Sequence, residues 1–140
     1  MNILLPVDGS RHSLGAVASL VKHCAWFKSP PVVRLVYVHL PVPKMGRMGP
    51  SKKAVDQYYR EEGEQCLAGA KKLLDKAGVA FESMILVGQP AETICEVASG
   101  SKADLIYMGT RGMSAMANMM IGSVASKVVQ GAKVPVLLSR

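Results

Sequence analysis

Ile3-Leu4-Leu5-Pro6-Val7-Asp8-Gly9-Ser10 is the stretch whose pattern governs the rest of the chain. Five apolar residues run together and stop at Asp-Gly-Ser, the mark of a buried strand that ends in a turn. Ser10 stands where a helix N-cap belongs, because Leu14, Val17, Ala18, Val21 and Ala25 follow at helical spacing. A strand that feeds directly into a helix is the first half of a βαβ unit.

The unit repeats. Ser29-Pro30-Pro31 ends the first helix, and Val32–His39 is a second, valine-rich strand suited to burial on both faces. Leu40–Pro50, with three prolines and two glycines, reads as a loop. Ser51 caps a long helix to about Lys76, for which Val55, Tyr58, Tyr59, Cys66, Ala70, Leu73 and Leu74 are the expected inward stripe, with Gly78 as its stop. Val79–Val87 is the third strand, closed by Gly88-Gln89-Pro90, and Ala91–Ser99 is a short helix. Asp104–Met108, Ser123–Gln130 and Val134–Ser139 complete the series as strand, helix and strand. Strands alternating with helices, without a hairpin signal, predict an α/β fold: a parallel sheet with right-handed crossovers and helices on both faces, Rossmann-like.

At 140 residues the chain fits one domain, 1–140. The hydrophobic fraction is 49% and the charged fraction 19%, enough for a core and far from the composition of disorder. No apolar run reaches the roughly 20 residues of a membrane span. MNILLPVDGS lacks the cationic start of a signal peptide, so a cytoplasmic location is expected. Cys24, Cys66 and Cys95 are odd in number and far apart, and read as small core hydrophobes; His12, His23 and His39 have no metal-ligand spacing. The net charge of +7 favours anionic partners without choosing among them. Part of it lies in Lys44, Arg47, Lys52 and Lys53, which read equally as a solvated basic loop.

In open parallel sheets, ligands bind beyond the carboxyl ends of the strands, where the connection direction switches. Two segments qualify: Pro6-Val7-Asp8-Gly9-Ser10 after the first strand, and Met108-Gly109-Thr110-Arg111-Gly112 after the fourth. The second continues as Gly109-x2-Gly112-x9-Gly122-Ser123, with Gly122-Ser123 at the start of the fourth helix. A polyphosphate needs main-chain N–H groups aimed at it; glycine permits positive φ and close approach, and a helix start adds free amides and partial positive charge. The Ser123 hydroxyl is a further donor. Val7, Val38 and Met108 could wall an adenine slot, with Asp8 placed to accept from a ribose hydroxyl or the base amino group. The same glycines would also serve a tight turn and a helix start with no ligand.

These residues resemble the universal stress protein family over essentially the whole chain. The resemblance rests on Ile3–Ser10, Leu35-Val36-Tyr37-Val38, Gly88-x-Pro90, Ala103–Gly112, Gly122-Ser123-Val124-Ala125 and Val134-Pro135-Val136-Leu137-Leu138. It implies a five-stranded parallel sheet of order 3-2-1-4-5. The G-x2-G-x9-G-[ST] pattern marks the ATP-binding members, and this chain keeps every position of it. By resemblance, Asp8 and Val38 meet the adenosine end, Pro6 and Met108 line the base pocket, and Gly109, Gly112, Gly122, Ser123 and Val124 hold ribose and phosphates. Mg²⁺ is a chemical expectation for ATP rather than a reading of residues. The resemblance also implies a homodimer through the last strand, Val134–Leu138, an apolar edge that needs cover. Two features depart from the family's pattern or colour it: His39 follows Val38 where a histidine commonly precedes it, and the spacer holds Met113, Met116, Met119 and Met120.

The resulting expectation is a nucleotide-dependent regulatory module of the stress response. The alternative is an adenine-nucleotide-using enzyme, a weak ATPase or an adenylyl- or phosphoryl-transferase. The P-loop pattern G-x4-G-K-[ST] is absent, and Ser10 and His12 lack an evident third group for nucleophilic catalysis. Nucleic acid is disfavoured as a partner, because the basic loop has no interleaved aromatics.

Overall fold

β1 (Asn2–Pro6) lies at the centre of the sheet in the computed structural model, which describes residues 1–43, 49–112 and 121–140. It pairs in parallel with β2 (Val32–His39), where Leu5 faces Leu35, and with β4 (Leu105–Gly109), where Leu4 faces Ile106. β3 (Phe81–Val87) extends the sheet beyond β2, and β5 (Val136–Ser139) extends it beyond β4. The order is β3-β2-β1-β4-β5, all parallel, as the resemblance implies. Lys44, Arg47, Met113, Met116, Met119 and Met120 lie outside the described residues.

The period-two alternation of strand side chains builds a core on each face. Ile3, Leu5, Leu35 and Tyr107 point to one side, against Val17 and Leu20 of α1 (Arg11–His23) and Leu67, Ala70 and Leu74 of α2 (Lys52–Lys76). Leu4, Val36, Ile106 and Met108 point to the other, against Ile94 and Ala98 of α3 (Pro90–Gly100) and Ala125 and Val128 of α4 (Ser123–Gly131). Both serine caps form as expected: Ser10 Oγ accepts from the Ser13 amide at 3.1 Å, and Ser51 Oγ from the Ala54 amide at 3.2 Å.

The structure departs from the sequence reading at element ends, and the first helix stops at His23 rather than at Ser29, passing into a 3-10 turn at Cys24–Trp26 that leaves Ala25 exposed. The third strand starts at Phe81 rather than Val79, because the Val79 amide returns to Leu74 O and closes α2 around Gly78 at φ +66°. The last strand starts at Val136 rather than Val134, although the Pro135 carbonyl still accepts from Ile106 N at 2.9 Å. Tyr58 is 48% exposed and does not belong to the inward stripe. At 25 residues α2 is about 37 Å long. Its burial on the sheet begins only at Gly63, where an added Cβ would press on Ile85 Cδ1 at 2.6 Å.

Candidate functional site

β1 and β4 are neighbours, but β1 connects onward to β2 and β4 to β5, so their carboxyl ends face a crevice where the winding reverses. The crevice encloses about 380 Å³ and is lined by all nine residues singled out from sequence: Pro6, Asp8, Val38, Met108, Gly109, Gly112, Gly122, Ser123 and Val124. Val7 joins them, so both switch-point segments open onto one space.

One end is apolar. Pro6, Val7 and Met108 come from strand ends, Val38 from β2, and Ile94 from α3. Asp8 stands at the mouth. Its Oδ1 accepts from the Ser10 amide at 3.0 Å, and its own amide donates to Ser13 Oγ at 3.4 Å. Its Oδ2 lies against Gly112, where any Cβ would overlap it. Gly9, at φ +78°, makes the turn and sits on Cys66, so a side chain there would be both strained and crowded.

The start of α4 also lines the crevice. The Gly122 carbonyl accepts the Ser126 amide at 2.9 Å, the first helical bond of α4. The amides of Ser123, Val124 and Ala125 therefore precede any intrahelical partner, and all three residues line the crevice. The first turn of α4 carries no acidic residue to compete for their partial positive charge. Two expectations need correction. Gly109, Gly112 and Gly122 have no left-handed backbone, so their value is close approach alone. The Gly122 amide is already engaged, donating to Thr110 O at 2.6 Å, and only the three amides after it are available.

Sequence reasoning missed the third wall. His39 Nε2 contacts Glu62 Oε2, and His39 Nδ1 lies 2.5 Å from Leu40 O, which fixes the end of β2 against α2. The Val42 amide then donates to Tyr59 Oη at 2.8 Å. Glu62 gave no signal, because its place depends on where a long helix docks. Behind this wall, burial pushes the Tyr37 hydroxyl far above the usual phenol range and raises the Cys66 thiol. Burial raises Cys24 and Cys95 as well, so none of the three free thiols is an activated nucleophile. Ser10 spends its hydroxyl on capping α1.

The sequence and the fold have counterparts among known proteins. A family model for the universal stress protein family matches residues 1–140. Universal stress protein MJ0531 of Methanocaldococcus jannaschii is 35% identical, with 97% of this chain and 79% of that protein covered. The universal stress protein in the QAH/OAS sulfhydrylase 3'region of Thermus aquaticus is 38% identical, with 99% and 97% covered. Among solved structures, M. jannaschii MJ0577 superposes with a TM-score of 0.80 at 25% identity, over 98% of this chain and 93% of that one. A universal stress protein crystallised in complex with cAMP gives 0.71 at 25% identity, over 100% and 97%.

Proposed function

The chain belongs to the universal stress protein family, and from that premise we propose that its crevice binds ATP and that it acts as a nucleotide-dependent regulatory module in the stress response, as a homodimer. One observation carries the reading. Three consecutive residues whose amides have no helical partner, Ser123, Val124 and Ala125, line the same space as the apolar side chains of Pro6, Val38, Ile94 and Met108. That is the polarity of an adenine nucleotide, with anionic oxygens at one end and a flat apolar base at the other. The cAMP complex of a relative at 25% identity supports the same ligand class.

In this reading Pro6, Val38 and Met108 flank the base, and Asp8 accepts from a ribose hydroxyl or the base amino group. Gly109 and Gly112 let the main chain approach the ribose and phosphates. Ser123 and Val124 donate to phosphate oxygens, and Gly122 sets the helix start without giving its own amide. A Mg²⁺ ion arriving with ATP would be held by phosphate oxygens and water. Among the described residues, no three His, Cys, Asp or Glu side chains are grouped to hold a metal. The homodimer would form through Val134–Leu138, since β5 closes one end of the sheet order and, among the described residues, has a strand partner on one side only.

The test is to denature purified protein, identify any released nucleotide by chromatography and mass, and titrate the stripped, refolded protein with ATP, AMP and GTP. Adenine nucleotide in the supernatant and binding selective for ATP over GTP are expected. No released nucleotide together with no heat of ATP binding would end the proposal.

A further inference from the structure

A second, smaller cleft shares Thr110 and Arg111 with the crevice. It encloses about 230 Å³ and is lined by His12, Thr110, Arg111 and Arg140. Three separate elements supply these residues: the first turn of α1, the end of β4 and the end of β5. Backbone contacts hold them together. The Thr110 amide donates to Ser139 O at 2.9 Å, which brings the residue after β5 beside the loop. Gly109 has no side chain, and a Cβ there would come 3.3 Å from His12 O, so α1 can approach the end of β4.

The electrostatics of the cleft are one-sided. The residues that line it carry two guanidinium groups and an imidazole, and none of the described residues lining it has an acidic side chain. Among the described residues, neither Arg111 nor Arg140 has a carboxylate within ion-pair distance. Arg111 is half-buried, so its charge has given up part of its water, and it has no ion-pair partner among the described residues. Guanidinium forks that share a cavity repel one another until an anion with several oxygens sits between them, and phosphate matches them best. The volume lies below the roughly 300 Å³ at which pockets for whole small molecules begin, so the cleft suits a group rather than a second nucleoside.

We propose that His12, Arg111 and Arg140 form a phosphoryl-binding subsite next to the crevice, separate from the amides of α4. Thr110 and Arg111 line both spaces, so the two are adjoining compartments of one loop. The phosphoryl group has two possible sources: the far end of a phosphate chain whose nucleoside occupies the crevice, or a separate phosphorylated anion. Only the first source rests on the nucleotide reading.

Calorimetric titrations of the wild-type, Arg140→Gln and His12→Gln proteins distinguish these cases, with pyrophosphate alone, ATP and AMP as ligands. Both side chains are exposed at the surface, so the variants keep the fold. Pyrophosphate should bind the wild type and lose about tenfold in affinity in each variant, the scale of one lost charge-assisted contact, while AMP binds all three proteins equally. A parallel tenfold loss for ATP assigns the phosphoryl group to the nucleotide's own chain. Unchanged ATP affinity with weakened pyrophosphate assigns it to a separate anion. Variant-sensitive pyrophosphate binding in a protein that binds neither ATP nor AMP would keep this site and discard the nucleotide reading. Pyrophosphate and ATP affinities that are the same in all three proteins would overturn the subsite.

Discussion

The Asp8 carboxylate packs against the bare α-carbon of Gly112, so that the segment after β4 meets the end of β1 through a single side chain, that of Asp8. Gly112→Ala places a methyl group on Asp8 Oδ2 and should cost about 1–2 kcal/mol of stability, because the carboxylate must turn aside from the Ser10 amide that holds its Oδ1. In an Asp8→Ala background the same substitution should cost less than about 1 kcal/mol. Urea unfolding of the four proteins measures the difference, and equal costs in both backgrounds would show that the contact is not the constraint.

Gly122 is a more permissive position. Its backbone is extended, with φ −72° and ψ 160°, and a Cβ there would meet Thr110 O at 3.4 Å, an ordinary contact. Gly122→Val should therefore keep the fold at a cost of about 1 kcal/mol for a poorer N-cap. Its two methyl groups would stand beside Thr110, Arg111 and Gly112 at the lining of the crevice, and ATP affinity should fall at least about tenfold. Equal nucleotide retention by variant and wild type, both folded by circular dichroism, counts against the site.

Ser10→Ala separates capping from chemistry. Loss of the bond to the Ser13 amide should destabilise the protein by about 1 kcal/mol and leave ATP binding as it was. A variant as stable as the parent would contradict the capping role.

Alkaline pH should weaken the fold through Tyr37 and Cys66. Burial raises both groups above their ordinary values, so the folded chain holds these protons more tightly than the unfolded chain. Their contribution is complete below the unfolded values, about 8.5 for cysteine and 10 for tyrosine, and is lost as pH rises towards the folded ones. Unfolding free energy should decline between about pH 8 and pH 11, more shallowly in Tyr37→Phe. Identical slopes for the two proteins would exclude Tyr37 as a source.

The homodimer is checked by sedimentation. The 14.9 kDa chain should run at twice that mass across a concentration series. A monomer at every concentration would remove the edge-strand pairing.

The fold was legible in the sequence because each level of pattern agreed with the next. Ser10 and Ser51 mark helix starts, Gly78 marks a stop, and the apolar run Ile3–Val7 can only be buried. Strand ends were harder, since Val79 looks like a strand residue but its amide is taken by the helix cap. The crevice was legible where adjacent residues build it, at Asp8 and from Gly109 to Gly112. Glu62 was not, because its position depends on the docking of α2, nor was Arg140, brought in by the neighbouring strand. A glycine in a sequence announces room for the main chain, but it does not say whether that glycine's own N–H is free, and at Gly122 it is not.

Thr110 has its two peptide groups tied in opposite directions, the amide to Ser139 and the carbonyl to Gly122. It works as a hinge pin between the outermost strand and the final helix: a displacement of the helix start pulls on a link whose other end is the rim of the sheet. Deuterium uptake at the Thr110 and Gly122 amides therefore reads that linkage from its two sides, and tightening at one should be accompanied by slower uptake at the other.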